Sequence, residues 1–326
     1  MPHWLMAAFV GLLALSQAAN AQVPGKLTLY TSQPDRDAAQ TLEGFKKSHP
    51  GVEVEIFRSG TTEVMSKLQA EFAAGTPRAD LLLIADAVSM EQLKKDGRLL
   101  AHPTADLAQF PAEAYDKDRT YFGTKLITTG IVINNAATMK PQAWADLLKP
   151  EAKGQVVMPS PLYSGAAAIH MAGLTSTPAL GKGFYEALAK NGATAVRGNG
   201  AVVTAVAGGQ KMYGFIVEFM ALNAQKKGSP VTFVFPKEGV TAVTEPAAIL
   251  TSTKNPMAAK AFIDFLLSRE GQELAVAQGY LPARRDVAPP DGFPKLGDVK
   301  LIPIDVPAAI STDAANKKAF ADLFGG

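Results

Sequence analysis

Four short segments rich in Ser, Thr, Asn and Gly each follow a predicted strand and precede a predicted helix. Their candidate ligand-binding residues are Ser32 and Gln33; Ser59, Gly60, Thr61 and Thr62; Ser160, Tyr163, Ser164 and Gly165; and Asn199. A turn that opens a helix presents backbone N–H groups without helical partners, hydroxyls and the positive end of the helix dipole. Each segment could therefore bind an anion, although an ordinary helix cap explains any one of them taken alone.

Two carboxylates also end predicted strands. Asp86 precedes a helix that we expect Ser89 to cap, and Glu218 ends the strand YGFIV. Either could bind the ammonium group of a ligand, and either could equally be a helix cap or a solvated carboxylate. Thr129, in the middle of a long apolar run, joins the candidate set. Catalysis has no further support, because Ser164 lacks the G-x-S-x-G context and no pair of His residues has metal-ligand spacing. We expect no metal site and no cofactor.

The elements that position these residues alternate between strand and helix. Residues 26–100 do so with short connections, which predicts a parallel sheet covered by helices. The long apolar runs 123–135 and 240–253 are suited to cross to a second such unit and back. The predicted lobes are 22–125 with 245–326, and the inserted segment 126–244. The four turns would face the cleft between them, two per lobe, and hinge bending would close the cleft.

Composition limits the classes of function. The chain has 326 residues, 47% of them hydrophobic and 19% charged, with a formal net charge of +2 and no cysteine. This is typical of a soluble globular protein long enough for two domains, and it indicates no nucleic-acid partner. The lack of cysteine excludes disulfides, thiol catalysis and Cys-ligated zinc.

The first 21 residues have the pattern of a secretory signal peptide. An apolar core runs from Trp4 to Leu15, and small residues follow up to Ala19-Asn20-Ala21. We expect cleavage before Gln22 and a mature chain in the periplasm.

Several segments spread along nearly the whole mature chain carry a family resemblance. They are LTLYTS, GTTEVMSKLQAEFAAGTPRADLLLIAD, TTGIVINN, SPLYSGAA and NPMAAKAFIDFLLSREGQELAVAQGYLPAR. Together they resemble the solute-binding proteins of bacterial ABC transporters, in the branch that includes ferric-iron, thiamine, sugar-phosphate and 2-aminoethylphosphonate binders. The resemblance implies an α/β fold of the type II periplasmic-binding-protein kind, with two lobes joined by two crossing strands. It also implies a monomer that delivers a small-molecule ligand to the permease subunits of an ABC transporter.

The chain departs from the iron-binding members of that branch. Those relatives carry adjacent tyrosines where this chain has Glu218-Phe219, and often a histidine where it has Gln33-Pro34. Hydroxyl-rich helix starts suit an organophosphorus anion (a phosphonate or phosphate ester), and a carboxylate suits an amine, so 2-aminoethylphosphonate is the preferred ligand. A sugar phosphate and ferric iron stay open within the same fold. A sensor that presents its ligand to a receptor and a secreted phosphate-ester hydrolase are the alternatives from other classes.

Overall fold

The computed structural model describes residues 24–181, 183–293 and 299–325, which form two lobes, each built on a β-sheet. The strands are β1 (Gly25–Thr31), β2 (Val52–Arg58), β3 (Leu81–Leu83), β4 (Leu99–Leu100), β5 (Tyr121–Gly123), β6 (Lys125–Asn134), β7 (Val156–Pro159), β8 (Thr194–Val196), β9 (Tyr213–Val217), β10 (Val231–Val234), β11 (Thr241–Val243), β12 (Pro246–Leu250) and β13 (Leu281–Pro282). The helices are α1 (Asp35–Ser48), α2 (Thr61–Ala73), α3 (Ala87–Lys95), α4 (Gly165–Ser176), α5 (Gly183–Lys190), α6 (Asn199–Ala207), α7 (Glu218–Lys226), α8 (Pro256–Leu267), α9 (Arg269–Gln278) and α10 (Val306–Phe324). The predicted signal peptide, 1–21, lies outside the described residues.

The first lobe is a sheet with the strand order β2-β1-β3-β12-β4, in which β5 also pairs with β12. β1 runs parallel to β2 and β3, whereas β12 runs antiparallel to its neighbours. The alternating sequence of β1 buries both faces of the strand. Leu27 and Leu29 pack with Phe262 on one side, and Tyr30 packs with Leu68 on the other. Helices therefore cover both faces, as is usual for parallel strands.

The second lobe is a sheet with the strand order β10-β6-β9-β7-β8, in which β11 and β13 also pair with β6. β7 runs parallel to β8 and β9, and β6 runs antiparallel to β9, β10 and β11. Alternate residues of β6 enter different hydrophobic clusters: Ile131 and Ile133 pack with Trp144, and Val132 packs with Val202. This sheet too is buried on both faces.

The two lobes are joined where β5 continues into β6 and where β11 leads into β12. The crossings lie side by side, since the Thr124 hydroxyl donates to the Glu245 carbonyl at 2.8 Å and the Thr124 N–H donates to the Thr244 carbonyl at 3.1 Å. Glu245 has a φ of 37°, in the left-handed region that residues with a side chain seldom adopt. The predicted fold class, two α/β lobes joined by two crossing strands, is confirmed.

The segment after Asn255, whose apolar periodicity indicates a helix, forms two helices rather than one. α8 ends and α9 begins at Ser268, whose Oγ accepts from the Gly271 N–H at 3.0 Å. Only glycine fits at 271, because a Cβ there would stand 2.1 Å from the Phe265 carbonyl oxygen. The two helices pack against each other, and Tyr280 follows at the end of α9.

The C-terminal helix α10 packs on both lobes. It lies against α4 and α5 of the second lobe and against α3 of the first. Phe320 is fully buried in a second-lobe cluster, with its ring centroid 6.1 Å from that of Tyr185. The assignment of 245–326 to the first lobe stays a prediction, but this contact attaches the end of the chain to the second lobe as well. In the described ranges, neither α10 nor any other helix has the length and apolar run needed to cross a membrane.

Candidate ligand-binding site

A cavity of about 280 Å³ lies between the two lobes. The sequence-predicted residues that line it are Ser32, Gly60, Thr61, Tyr163, Ser164, Gly165 and Asn199. They come from all four predicted turns, so the structure brings these turns together. Their role in ligand binding stays a prediction.

The start of α2 forms the first-lobe side of the cavity. β2 ends at Arg58, and the chain turns through Ser59 and Gly60 before the helix begins at Thr61. Close packing requires glycine at 60, because a Cβ there would stand 2.5 Å from the ring and the carbonyl oxygen of Tyr163. The second lobe therefore sits directly on this turn.

The starts of α4 and α6 form the second-lobe side. Ser164 caps α4 by accepting from the Ala167 N–H at 3.3 Å, and Gly198 precedes the first residue of α6. The side chain of Asn199 connects the two helix starts, because Nδ2 donates to Ser164 Oγ at 3.3 Å. Its Oδ1 also accepts from the Val217 N–H at 3.2 Å. Asn199 thus positions the backbone around the cavity.

Three helix N-termini converge on this cavity. α2, α4 and α6 are 13, 12 and 9 residues long, and each contributes first-turn backbone to the lining, including Gly165, Ala166, Gly200 and Ala201. The first N–H groups of a helix have no partner within it and carry the positive end of the helix dipole. The arrangement therefore favours an anion.

Two arginines that sequence reasoning missed also line the cavity. Arg58 donates from Nη1 to Tyr163 Oη at 3.3 Å and from Nε to the Gln33 carbonyl at 2.7 Å. The Arg197 guanidinium lies 4.5 Å from the Tyr163 ring centroid, and its Nη2 donates to both carboxylate oxygens of Glu63 at 2.8 Å. The cavity thus carries two side-chain cations in addition to the three helix starts.

A sequence signal for these arginines was present. Arg58 stands directly before Ser59, and Arg197 stands directly before Gly198. In both cases a basic residue comes at the end of a strand, next to a turn that opens a helix. A prediction based on the turns alone does not include these residues, because they belong to the preceding strand or its end.

The lobes contact each other beside the cavity. Thr62 donates from its N–H to the Tyr163 carbonyl and from its hydroxyl to the Pro161 carbonyl, both at 3.3 Å. Gly165 is packed so closely against the first lobe that a Cβ would stand 2.7 Å from the Ala85 carbonyl oxygen. The structure therefore represents the protein with its cleft closed.

The wall of the cavity nearest the crossings, which we call the hinge wall, is more apolar. It consists of Ile127, Val217, Phe219, Met220, Glu245 and Tyr280. The Tyr280 hydroxyl donates to Asp37 Oδ2 at 2.8 Å, and its ring centroid is 4.1 Å from that of Phe219. Glu245 Oε2 lies 2.6 Å from Lys125 Nζ, and both side chains are almost fully buried. The hinge wall therefore combines aromatic surface with one carboxylate.

Asp86, predicted to bind a ligand amine, is placed as a helix cap. Its Oδ1 accepts from the Val88 N–H at 2.9 Å and the Ser89 N–H at 3.1 Å, and Ser89 Oγ donates to Oδ2. The helix begins at Ala87, so Asp86 caps it and Ser89 does not. Burial raises the pKa of Asp86, whereas the hydrogen bonds from Ser89 act in the opposite direction. With Thr62, it lines a separate cavity of about 450 Å³ among α2, α3, α4 and α10.

Glu218, the other predicted carboxylate, lies inside the protein next to the cavity wall. It is fully buried at the start of α7, and Oε2 accepts from the Thr128 N–H at 2.5 Å. Burial raises its pKa to about 8, so the carboxyl is largely protonated near neutral pH. Its neighbours Val217 and Phe219 reach the cavity instead.

The remaining predicted residues stabilise the turns or lie behind the cavity. Gln33 is fully buried, Ser59 donates its hydroxyl to Glu63, and Ser160 Oγ accepts from the Leu162 N–H at 3.2 Å. Thr129 lines a small separate cavity beside His170. None of these four residues lines the cavity between the lobes.

The described residues 24–181, 183–293 and 299–325 contain no group of three or more His, Cys, Asp or Glu side chains that could hold a metal ion. His170, on α4, is buried, with its ring centroid 4.6 Å from that of Trp144. Burial lowers its pKa to about 3, so the imidazole is neutral at physiological pH.

Comparison with known proteins agrees with this architecture. Residues 40–300 match the family model described as bacterial extracellular solute-binding protein. The chain belongs to that family. It is 26% identical to the Fe(3+)-binding periplasmic protein of Serratia marcescens over 287 residues, which are 84% of this chain and 82% of the relative.

Solved structures of periplasmic binding proteins share the fold of this solute-binding protein. One is AfuA from Actinobacillus pleuropneumoniae with exogenous fructose-6-phosphate bound, with a TM-score of 0.84 and 22% identity, covering 92% of this chain and 98% of that one. Another is iron-bound HitA from Pseudomonas aeruginosa, with a TM-score of 0.78 and 21% identity, covering 91% and 99%. At these identities the likeness establishes the fold.

Proposed function

We propose that this protein is the periplasmic solute-binding component of an ABC importer and that its solute is a small organophosphorus anion. The observation that carries the proposal is the convergence of three helix N-termini with Arg58 and Arg197 on one cavity between the lobes. Backbone N–H groups and guanidinium groups are the donors that bind phosphate-like oxygens best in proteins. Family membership supports a small-molecule ligand and a permease partner.

The size of the cavity supports a small solute. Its volume of about 280 Å³ is at the low end for ligand pockets, and the lobes are already in contact around it. Among small organophosphorus compounds, 2-aminoethylphosphonate is the preferred candidate. The helix starts and arginines favour its phosphonate group, and a carboxylate on the hinge wall suits its amine.

A sugar phosphate is the second candidate. The aromatic rings of Phe219 and Tyr280 on the hinge wall offer apolar surface for a sugar ring, and AfuA is a relative in fold with fructose-6-phosphate bound. Ferric iron has less support, since the described residues provide no cluster of three acidic or His ligands. The hydrolase alternative differs from a binding protein in that it would release phosphate from a sugar phosphate.

A thermal-shift screen tests the proposal. The mature protein is melted with 2-aminoethylphosphonate, fructose 6-phosphate, thiamine or a ferric salt, and phosphate release from the ester is measured in parallel. A ligand at one hundred times its Kd adds about 2.7 kcal/mol to the free energy of unfolding, which raises the melting temperature by several degrees. We expect that rise with an organophosphorus compound and no phosphate release.

Charge-removing variants locate the site. Arg58→Gln should abolish most of the ligand-dependent rise, whereas Arg269→Gln, an exposed arginine on α9, should leave it unchanged. A rise produced by the ferric salt alone would refute the ligand class. Continuous release of phosphate would refute the binding function in favour of hydrolysis.

A further inference from the structure

We propose that Glu245 is the specificity-determining residue of the cavity and binds an ammonium group at the far end of the ligand, while the phosphorus end lies at the helix starts. The proposal rests on the proposed function, because it concerns the same cavity. It assigns the ligand an orientation, with its cation toward the hinge and its anion toward the starts of α2, α4 and α6. Glu245 thus takes the role that the sequence predicts for Asp86 and Glu218, which is to bind a ligand amine.

Glu245 has the position that such a role requires. Among the described residues that line the cavity, it is the single carboxylate. The Asp86 carboxylate caps α3, and Glu218 accepts from the Thr128 N–H behind the cavity wall. Arg58 lies in the lining at the end of β2, on the side of the helix starts. The cavity is therefore polarised, with donors at the helix starts and an acceptor on the hinge wall.

The Glu245 carboxylate has capacity for a further donor. Oε2 lies 2.6 Å from Lys125 Nζ, yet it is buried without a well-aligned hydrogen bond. A carboxylate accepts up to about four hydrogen bonds, so the pairing with Lys125 leaves acceptor sites for another group. A ligand ammonium that donates to Glu245 would use one of these acceptor sites.

The surroundings of Glu245 suit an ammonium better than a hydroxyl. The Tyr280 hydroxyl already donates to Asp37, so its ring is what the hinge wall offers to a ligand. Aromatic rings attract cations: Lys125 Nζ stands 4.3 Å from the centroid of the Tyr280 ring, and the ring of Phe219 is the second aromatic surface of the hinge wall. An ammonium group only donates hydrogen bonds, whereas a hydroxyl also accepts them. A wall that offers a carboxylate and aromatic rings therefore matches an ammonium.

The backbone holds Glu245 in place at the crossing. Its carbonyl accepts from the Thr124 hydroxyl at 2.8 Å, and the Thr124 carbonyl in turn accepts from Gln272 Nε2 at 2.6 Å. Because the backbone is held here, the reach of the carboxylate depends on the length of the side chain. Shortening the side chain in Glu245→Asp should therefore weaken ammonium binding even though the charge is kept.

Isothermal titration calorimetry with three probes tests the proposal. They are 2-aminoethylphosphonate, 2-hydroxyethylphosphonate and ethylphosphonate, which differ at the far end alone. We expect Glu245→Gln to lower the affinity for 2-aminoethylphosphonate by about 10- to 100-fold, the range for a hydrogen bond to a charged group. The affinities for the other two probes should change little, which also shows that the variant is folded. Glu245→Asp should lower the aminoethyl affinity selectively as well.

Asp86→Asn is the matched control, because asparagine keeps the cap of α3 and the residue lies outside this cavity. It should leave all three affinities unchanged. An equal loss for the hydroxyethyl probe, an equal loss for all three, or no loss at all would overturn the ammonium assignment while leaving organophosphorus binding intact. A wild-type protein that binds none of the three phosphonates but binds fructose 6-phosphate would overturn this inference alone. A wild-type protein that binds neither the phosphonates nor a sugar phosphate would overturn the proposed function, and this inference with it.

Discussion

Replacing Gly165 by alanine should weaken ligand binding without weakening the fold. Gly165 is the first residue of α4 in the second lobe, and it faces the first lobe across the closed cleft. An added Cβ would stand 2.7 Å from the Ala85 carbonyl oxygen and 2.8 Å from Thr61 Cγ2. Both neighbours belong to the opposite lobe, so the added methyl group acts against closure.

The size of the effect follows from the overlap. Ordinary van der Waals contact begins at 3.4 Å, so the lobes must separate by about 0.7 Å at Ala85, where the opposing atom is backbone. Overpacking of this kind costs about 1–3 kcal/mol. Because that cost falls on the closed state alone, we expect the affinity for 2-aminoethylphosphonate to fall by about 5- to 150-fold. The free energy of unfolding without ligand should stay the same or rise slightly, since alanine favours a helix over glycine.

Calorimetric titration and urea unfolding of the ligand-free protein measure the two quantities. Gly183→Ala is the matched control, because Gly183 is the first residue of α5 and a Cβ there meets nothing within 4 Å. It should leave the affinity unchanged. An affinity of Gly165→Ala equal to that of the wild type would refute the argument that this contact belongs to the ligand-bound state. A loss of unfolding free energy in parallel with affinity would show damage to α4 instead.

Two further predictions concern stability. Burial raises the pKa of Glu218 from 4.5 to about 8, so its contribution to the free energy of unfolding is complete below pH 4.5 and is lost as the pH rises through about 8. In urea titrations across this range, the free energy of unfolding of the wild type should decrease by up to about 1.4 kcal/mol per pH unit, and Glu218→Gln should remove this decrease. The exposed control Glu186→Gln should retain it. Identical slopes for the wild type and Glu218→Gln would contradict the assignment. Phe320→Ala should lower the free energy of unfolding by about 3–5 kcal/mol, because the ring is fully buried between α10 and the second lobe. Leu323→Ala, at a partly exposed position of the same helix, should have a much smaller effect, and equal effects would argue against α10 as part of the second-lobe core.

The sequence determined the order of the elements and the existence of the crossings. Strand and helix periodicities are local properties, so the alternation over 26–100 and the long runs before and after the second lobe were readable without tertiary contacts. The same holds for the turns at Gly60 and Gly198, where hydroxyl residues beside the first glycine and Asn199 beside the second indicate a helix start. Local chemistry was enough to predict that these turns could receive an anion.

Only the tertiary structure decided which charged side chains share the cavity. Asp86 and Glu245 both come close to strands in the sequence. The Asp86 carboxylate caps α3, whereas the crossing between the lobes brings Glu245 to the cavity. Arg58 and Arg197 are 139 residues apart in the sequence, and they meet at Tyr163 because the lobes close on each other. Local patterns report the helix starts, since a cap and its helix are neighbours in the chain. The partners of a buried charge depend on long-range packing, which no local pattern contains.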